Sequence, residues 1–86
     1  MAKEIKVGEV MHYFTKIGVA AVKITDSDLK VGDVVHIKGH TTDLTQRIES
    51  IQIEHQNVEV AKPGDDIGIK VTEHVREKDI VYKVIE

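Results

Sequence analysis

The chain has no cysteine and no tryptophan, a single proline, and three aromatic residues among 86. Without cysteine there are no disulfides, no thiolate metal centre and no thiol nucleophile. A small domain that forgoes disulfides fits a reducing compartment. No apolar run approaches the length of a membrane span, and the first ten residues, MAKEIKVGEV, hold no apolar leader core. The expectation is a cytoplasmic protein with no membrane partner. A GxxxxGK[ST] phosphate loop is absent, which excludes a P-loop nucleotide site. An excess of basic residues is also missing: 12 Lys and Arg stand against 15 Asp and Glu, a net charge of −3. Phosphate contacts supply most of the affinity of nucleic-acid modules, so this balance argues against DNA and leaves RNA only as a weak partner. Leucine occurs only as Leu29 and Leu44. No stretch keeps an apolar stripe at helical spacing for three turns.

What the chain does have is valine and isoleucine in short alternating runs, the residues that suit a pleated sheet. About seven strands are expected, over roughly 5–14, 17–24, 34–38, 46–55, 58–60, 67–71 and 80–85. Gly8 sits where the apolar parity of the first strand switches, the mark of a β-bulge. A second switch at Glu49-Ser50 predicts a bend in the fourth strand. Between the strands lie "TDSDLKVGD" (25–33), "HTTDLT" (40–45), "AKPGDD" (61–66) and "EHVREKD" (73–79), each rich in turn-forming or charged residues. A chain of 86 residues fits one domain over 1–86, and burying only about 60–65% of its unfolded surface leaves little apolar material for a deep cavity. Short strands at about ten-residue spacing, with two bends, predict an all-β fold in the form of a small closed antiparallel barrel.

The segment "GVAAVKITDSDLKVGDVVHIKG" (18–39) resembles the second domain of elongation factor Tu and related translational GTPases. "RIESIQIEHQNVEVAKPGDDIGIKV" and "VREKDIVYKV" are similar to its later strands, so the likeness runs over about 5–85. The resemblance implies a translation-factor barrel standing alone, without the GTPase domain. Phe14-Thr15 matches a phenylalanine and its neighbour in that family's aminoacyl pocket. His12-Tyr13 replace its acidic pair, so aminoacyl-tRNA recognition does not carry over. The same barrel also resembles an accessory domain at the C-terminus of collagenase-like peptidase family proteins, several of which act on tRNA modification.

The residues themselves offer few candidates for chemistry. His36 and His40 are four apart, but four residues of extended strand span about 13 Å, so no metal site is expected from them, nor from His12, His55 and His74. Ser27 and Ser50 lack the strained elbow of a nucleophile, and the pairs Asp26/Asp28 and Asp65/Asp66 read as solvated turn formers. No catalytic residue and no cofactor is assigned. Partner binding is assigned to a rim of Tyr13, Phe14 and Lys16 together with the polar loop contributing His40, Thr41, Thr42 and Arg47. The function this supports is a non-catalytic binding module that docks on a protein or ribonucleoprotein in translation or RNA metabolism. The alternative is an accessory subunit of an enzyme, such as a collagenase-like peptidase family or tRNA-modifying protein, with catalysis on another chain.

Overall fold

The computed structural model describes residues 3–85; the outermost positions of the domain expected over 1–86 lie outside the described residues. Ten strands follow in order: β1 Lys3–Phe14, β2 Val19–Ile24, β3 Leu29–Lys30, β4 Val34–Lys38, β5 Asp43–Arg47, β6 Ile51–Ile53, β7 Gln56–Val58, β8 Val60–Ala61, β9 Asp66–Lys70 and β10 Ile80–Ile85. Eight form one antiparallel sheet in the order β5-β4-β10-β1-β2-β9-β6-β7, and β3 pairs with β8 in a separate two-stranded ribbon. No helix among the described residues is long and apolar enough to cross a membrane.

Alternation decides which face of each strand goes inward. Ala20, Val22 and Ile24 of β2, Val35 and Ile37 of β4, and Ile67 and Ile69 of β9 are all buried, while the residues between them face outward. In β1 that rule is broken twice. Its register slips against β10 between Lys6 and Gly8, and against β2 between Val10 and His12. The first slip is the bulge expected at Gly8. The second rotates the strand end so that Tyr13 packs against the core while His12 and Phe14 point away from it.

Three connections use one turn repeatedly. In Lys30–Asp33, Lys62–Asp65 and Arg76–Asp79 the aspartate N–H donates to the carbonyl of the first residue, at 3.1, 2.9 and 3.2 Å. The aspartate carboxylate in return accepts from that residue's N–H, at 2.9, 2.9 and 2.8 Å. The third position has positive φ in each: Gly32 at 96°, Gly64 at 98° and Lys78 at 74°. Turns with φ > 0 at that position call for glycine, and Lys78 holds the conformation without it. Asp79 is almost fully buried, and its carboxylate lies against the Cα of Gly39, which ties the 71–79 connection to the β4–β5 hairpin.

The sheet is all-β as expected, but it does not close into a barrel. The strand expected to run unbroken over 46–55 is interrupted at 48–50, so its backbone ladder cannot seal the cylinder: β5 and β7 are the two free ends of the sheet. Side chains and short bridges cover the gap instead. Gln46 Nε2 donates to the Lys70 carbonyl at 2.8 Å, and Gln46 Oε1 accepts from the Thr72 N–H at 2.9 Å. Ile48 exchanges backbone bonds with Gly32 and Asp33, and the β3–β8 ribbon adds Leu29 and Ala61 to the core. The strand count rises from about seven to ten because β3 falls in a stretch that reads as loop, the strand expected over 46–55 is divided between β5 and β6, and the one expected over 58–60 between β7 and β8.

Candidate functional site

The β1–β2 hairpin projects its loop, residues 15–18, from the sheet. Two N–H groups, of Ile17 and Gly18, converge on the Phe14 carbonyl at 3.3 and 2.9 Å and hold the loop. Around it the chain exposes apolar surface: Met11 is 50% exposed, Phe14 46% and Ile17 64%. Together these large side chains form an exposed apolar patch in a chain short of core material.

A hollow lies on each side of this hairpin. The first, of roughly 400 Å³, is lined by His12, Tyr13, Thr15, His74, Arg76 and Glu77, with Val75 at its floor. The Tyr13 and His74 rings pack with centroids 4.5 Å apart, and the edge of His12 meets Phe14 at 4.6 Å. His12 Nδ1 lies 3.1 Å from Glu77 Oε2, but both side chains are more than half exposed, so that pair contributes little. The second hollow is an apolar trough of roughly 380 Å³ floored by Val19, Ala21, Ile67 and Gly68. Phe14 and Ile17 wall one side; Gln52, Glu54, His55 and Asp66 form the rest of its border.

The structure divides the expected contact rim. Tyr13, Phe14 and Lys16 stand together at the hairpin, with Tyr13 half-buried and the other two exposed. His40 and Thr41 are exposed in the β4–β5 turn. The 71–79 connection lies between the two groups, since Lys78 donates to the Val10 carbonyl and Asp79 packs on Gly39. Thr42 is only 7% exposed, and its carbonyl accepts the Gly39 N–H at 2.9 Å, so it serves the turn. Arg47 pairs with Val34 at the open end of the β4–β5 hairpin, five residues and about 17 Å of strand away from Thr42, with its guanidinium over Gly32.

His36 and His40 are not brought together around a shared centre. No group of three or more His, Cys, Asp or Glu is placed to hold a metal among the described residues. His36 does something the sequence did not announce. Its side chain, 16% exposed, is clamped between Glu4 of β1, 2.7 Å from Nδ1, and Asp43 of β5, 2.5 Å from Nε2. Both ring nitrogens face carboxylates, so the doubly protonated ring satisfies both at once. The Glu4 hydrogen bond, then the Asp43 bond, raise its pKa above 6.5 against a smaller opposing effect of burial. A raised folded pKa means stability that is complete below the unfolded value and is lost as pH rises through the folded one. The expected result is a urea midpoint that falls between about pH 6 and about pH 8 by the equivalent of about 1 kcal/mol, with that fall much reduced in His36→Gln. An unchanged slope in the variant would remove the clamp from the account. The signal missed in the sequence is pairing across strands: Glu4 lies 32 residues from His36 and meets it only through the order β1-β10-β4, while Asp43, 7 residues from His36, faces it across the β4–β5 hairpin.

These features define an all-β domain built on an open, twice-bulged antiparallel sheet. Within that class, the crystal structure of the C-terminal domain of a Geobacillus thermoleovorans protein grouped with the U32 peptidases superposes with a TM-score of 0.84. It is 26% identical and matches 90% of this chain and 89% of that domain. The selenomethionine variant of the same domain also gives a TM-score of 0.84, at 25% identity, over 90% of this chain and 96% of that one. By sequence, the chain is 39% identical over 85 residues to an uncharacterized protease of Methanocaldococcus jannaschii, covering 98% of this chain and 21% of that protein. It is 40% identical over 82 residues to a collagenase of Porphyromonas gingivalis, covering 94% of this chain and 20% of that protein. The chain thus spans about a fifth of the length of these curated relatives. No protein-family model matches it.

These relatives overturn the resemblance to the second domain of elongation factor Tu and the translation-factor character drawn from it. They bear instead on the second likeness, to the C-terminal domain of collagenase-like peptidase family proteins. The reason lies in the turns. "KVGD" and "KPGD" are part of the ordered segments behind the first likeness, and both are the aspartate-closed turn described above. Sheets that place glycine at the positive-φ position of that turn share the Gly-Asp letters, so those letters report turn geometry as well as kinship; the third copy here, Arg76–Asp79, has Lys78 in that place.

Proposed function

We propose that this chain is a non-catalytic accessory domain that works with the catalytic portion of a U32-peptidase-type protein. The single observation behind this is the proportion of the match: nearly the whole chain aligns, at 39% identity, with about a fifth of a protease. A module of that share supplies binding or positioning while the rest of the protein supplies chemistry. The contact face is the β1–β2 hairpin, with Tyr13, Phe14, Lys16 and Ile17, joined by His40 and Thr41 across the 71–79 connection. Exposed apolar residues at the centre of a polar surround are the usual arrangement of an interface core.

The test uses the Methanocaldococcus jannaschii protease with its matching segment deleted. Added to it, the purified chain is expected to form a complex with Kd on the order of 1 μM, measured by analytical ultracentrifugation. Phe14→Ser with Ile17→Ser should weaken it at least about tenfold, as loss of a central anchor does. The chain alone should leave gelatin uncut. Absence of a complex, or gelatin hydrolysis by the chain alone, would overturn this assignment.

A further inference from the structure

The apolar trough beside the hairpin carries a second, independent observation. Ile53 pairs with Gln56, which leaves Glu54 and His55 as a two-residue turn between β6 and β7. Both are left-handed, with φ of 51° and 66°. A two-residue hairpin with φ > 0 at both positions calls for Asn-Gly, because a Cβ there crowds the backbone. The chain keeps Glu-His instead, and both residues border the trough. Backbone strain retained where a relaxed sequence is available points to a use for the side chains.

The trough has a definite shape and charge. Ala21 and Gly68 are paired on the outer face of β2 and β9, and Gly68 also pairs with Gln52 of β6. A side chain at Gly68 would begin to fill the floor, its Cβ already 3.4 Å from Val19 Cγ1. Phe14 and Ile17 rise on one side. The charged side chains on the border are the carboxylates of Glu54 and Asp66, and no Lys, Arg or His nitrogen lies within 4.0 Å of either among the described residues. Lys23 stands opposite Asp66 on that face and offsets part of its charge, which leaves Glu54 as the main carboxylate of the border; an apolar floor beside it complements an apolar side chain next to a cation.

We infer that this trough binds an extended segment of a partner protein in which a large apolar residue adjoins an arginine or lysine. The apolar side chain lies over Ala21 and Gly68 against Phe14, and the cation meets Glu54 and Asp66. This goes beyond the accessory-domain assignment and does not depend on it: peptide binding is read on the isolated chain, docking on the trimmed protease, so either can fail alone.

The probes are capped hexapeptides of glycine with Phe-Arg, Phe-Glu or Ala-Arg at the centre, titrated into ¹⁵N-labelled chain. Phe-Arg is expected to give saturable shifts at the amides of Ala21, Glu54 and Gly68, with Kd on the order of 0.1–1 mM, as one anchored side chain and one ion pair provide. Phe-Glu and Ala-Arg should bind at least about tenfold more weakly. The double variant Glu54→Asn with His55→Gly should raise the urea midpoint, because the turn relaxes, and yet bind Phe-Arg at least about fivefold more weakly. Equal response to Phe-Arg and Phe-Glu, no saturable shift at these amides, or undiminished binding by the double variant would each overturn the proposal. A double variant no more stable than the parent would do so too, since the turn would then carry no strain to explain.

Discussion

Alanine at Gly8 is expected to cost at least about 4 kcal/mol and to leave much of the protein unfolded. Gly8 is fully enclosed where β1 runs between β10 and β2, opposite Val81 on one side and Ile24 on the other. A Cβ there would overlap the Lys23 carbonyl oxygen and lie 2.9 Å from its carbon and 3.1 Å from Ile24 Cα. These are backbone atoms, so no rotamer change relieves the collision; β1 must part from β2 at the centre of the eight-stranded sheet. A chain of this size has on the order of 4–13 kcal/mol to lose. Gly64→Ala is the control. Gly64 has φ of 98° but nothing within 4 Å of a Cβ, so only backbone strain opposes the change and about 1 kcal/mol is expected. Urea midpoints read by circular dichroism separate the two. Similar midpoints would mean that β1 and β2 can separate at little cost, against the register described here.

Gly8 was legible in the sequence because a parity switch at a glycine has one common cause. The strands over 34–38 and 80–85 were legible for the same kind of reason: strict alternation or a dense Val/Ile run bounded by charged turns. The second slip of β1 was not, since Val10, Met11 and His12 carry no glycine to announce it. That slip decides the character of the candidate site, because it turns Tyr13 inward and leaves Phe14 46% exposed, whereas the local pattern favours a core Phe14 beside a half-covered Tyr13. The closure of the sheet was misjudged because bends at Gly8 and Glu49-Ser50 are needed by a barrel but do not compel one. At 48–50 the bend became a break. The trough was hidden for a third reason: Ala21, Gly68 and Gln52 lie on three strands and acquire meaning only through their register.

Leu29→Ala is expected to lower stability by about 2–5 kcal/mol, in a segment that reads as loop. Leu29 belongs to a strand of two residues and is fully buried, opposite the equally buried Ala61 of β8. A two-stranded ribbon does not hold itself together in water. This one is fixed by driving Leu29, one of two leucines in the chain, into the core of a sheet whose own ladder fails to close. The ribbon therefore acts as a plug, and removing its side chain leaves a cavity shared with the core. The loss should appear as one cooperative shift of the urea midpoint, the same by circular dichroism and by the amide signals of β4 and β9. Leu29→Met, which keeps the volume, should cost less than about 1.5 kcal/mol. If the ribbon were an ornament on a self-sufficient sheet, Leu29→Ala would loosen only the amides of β3 and β8 and leave the main transition in place.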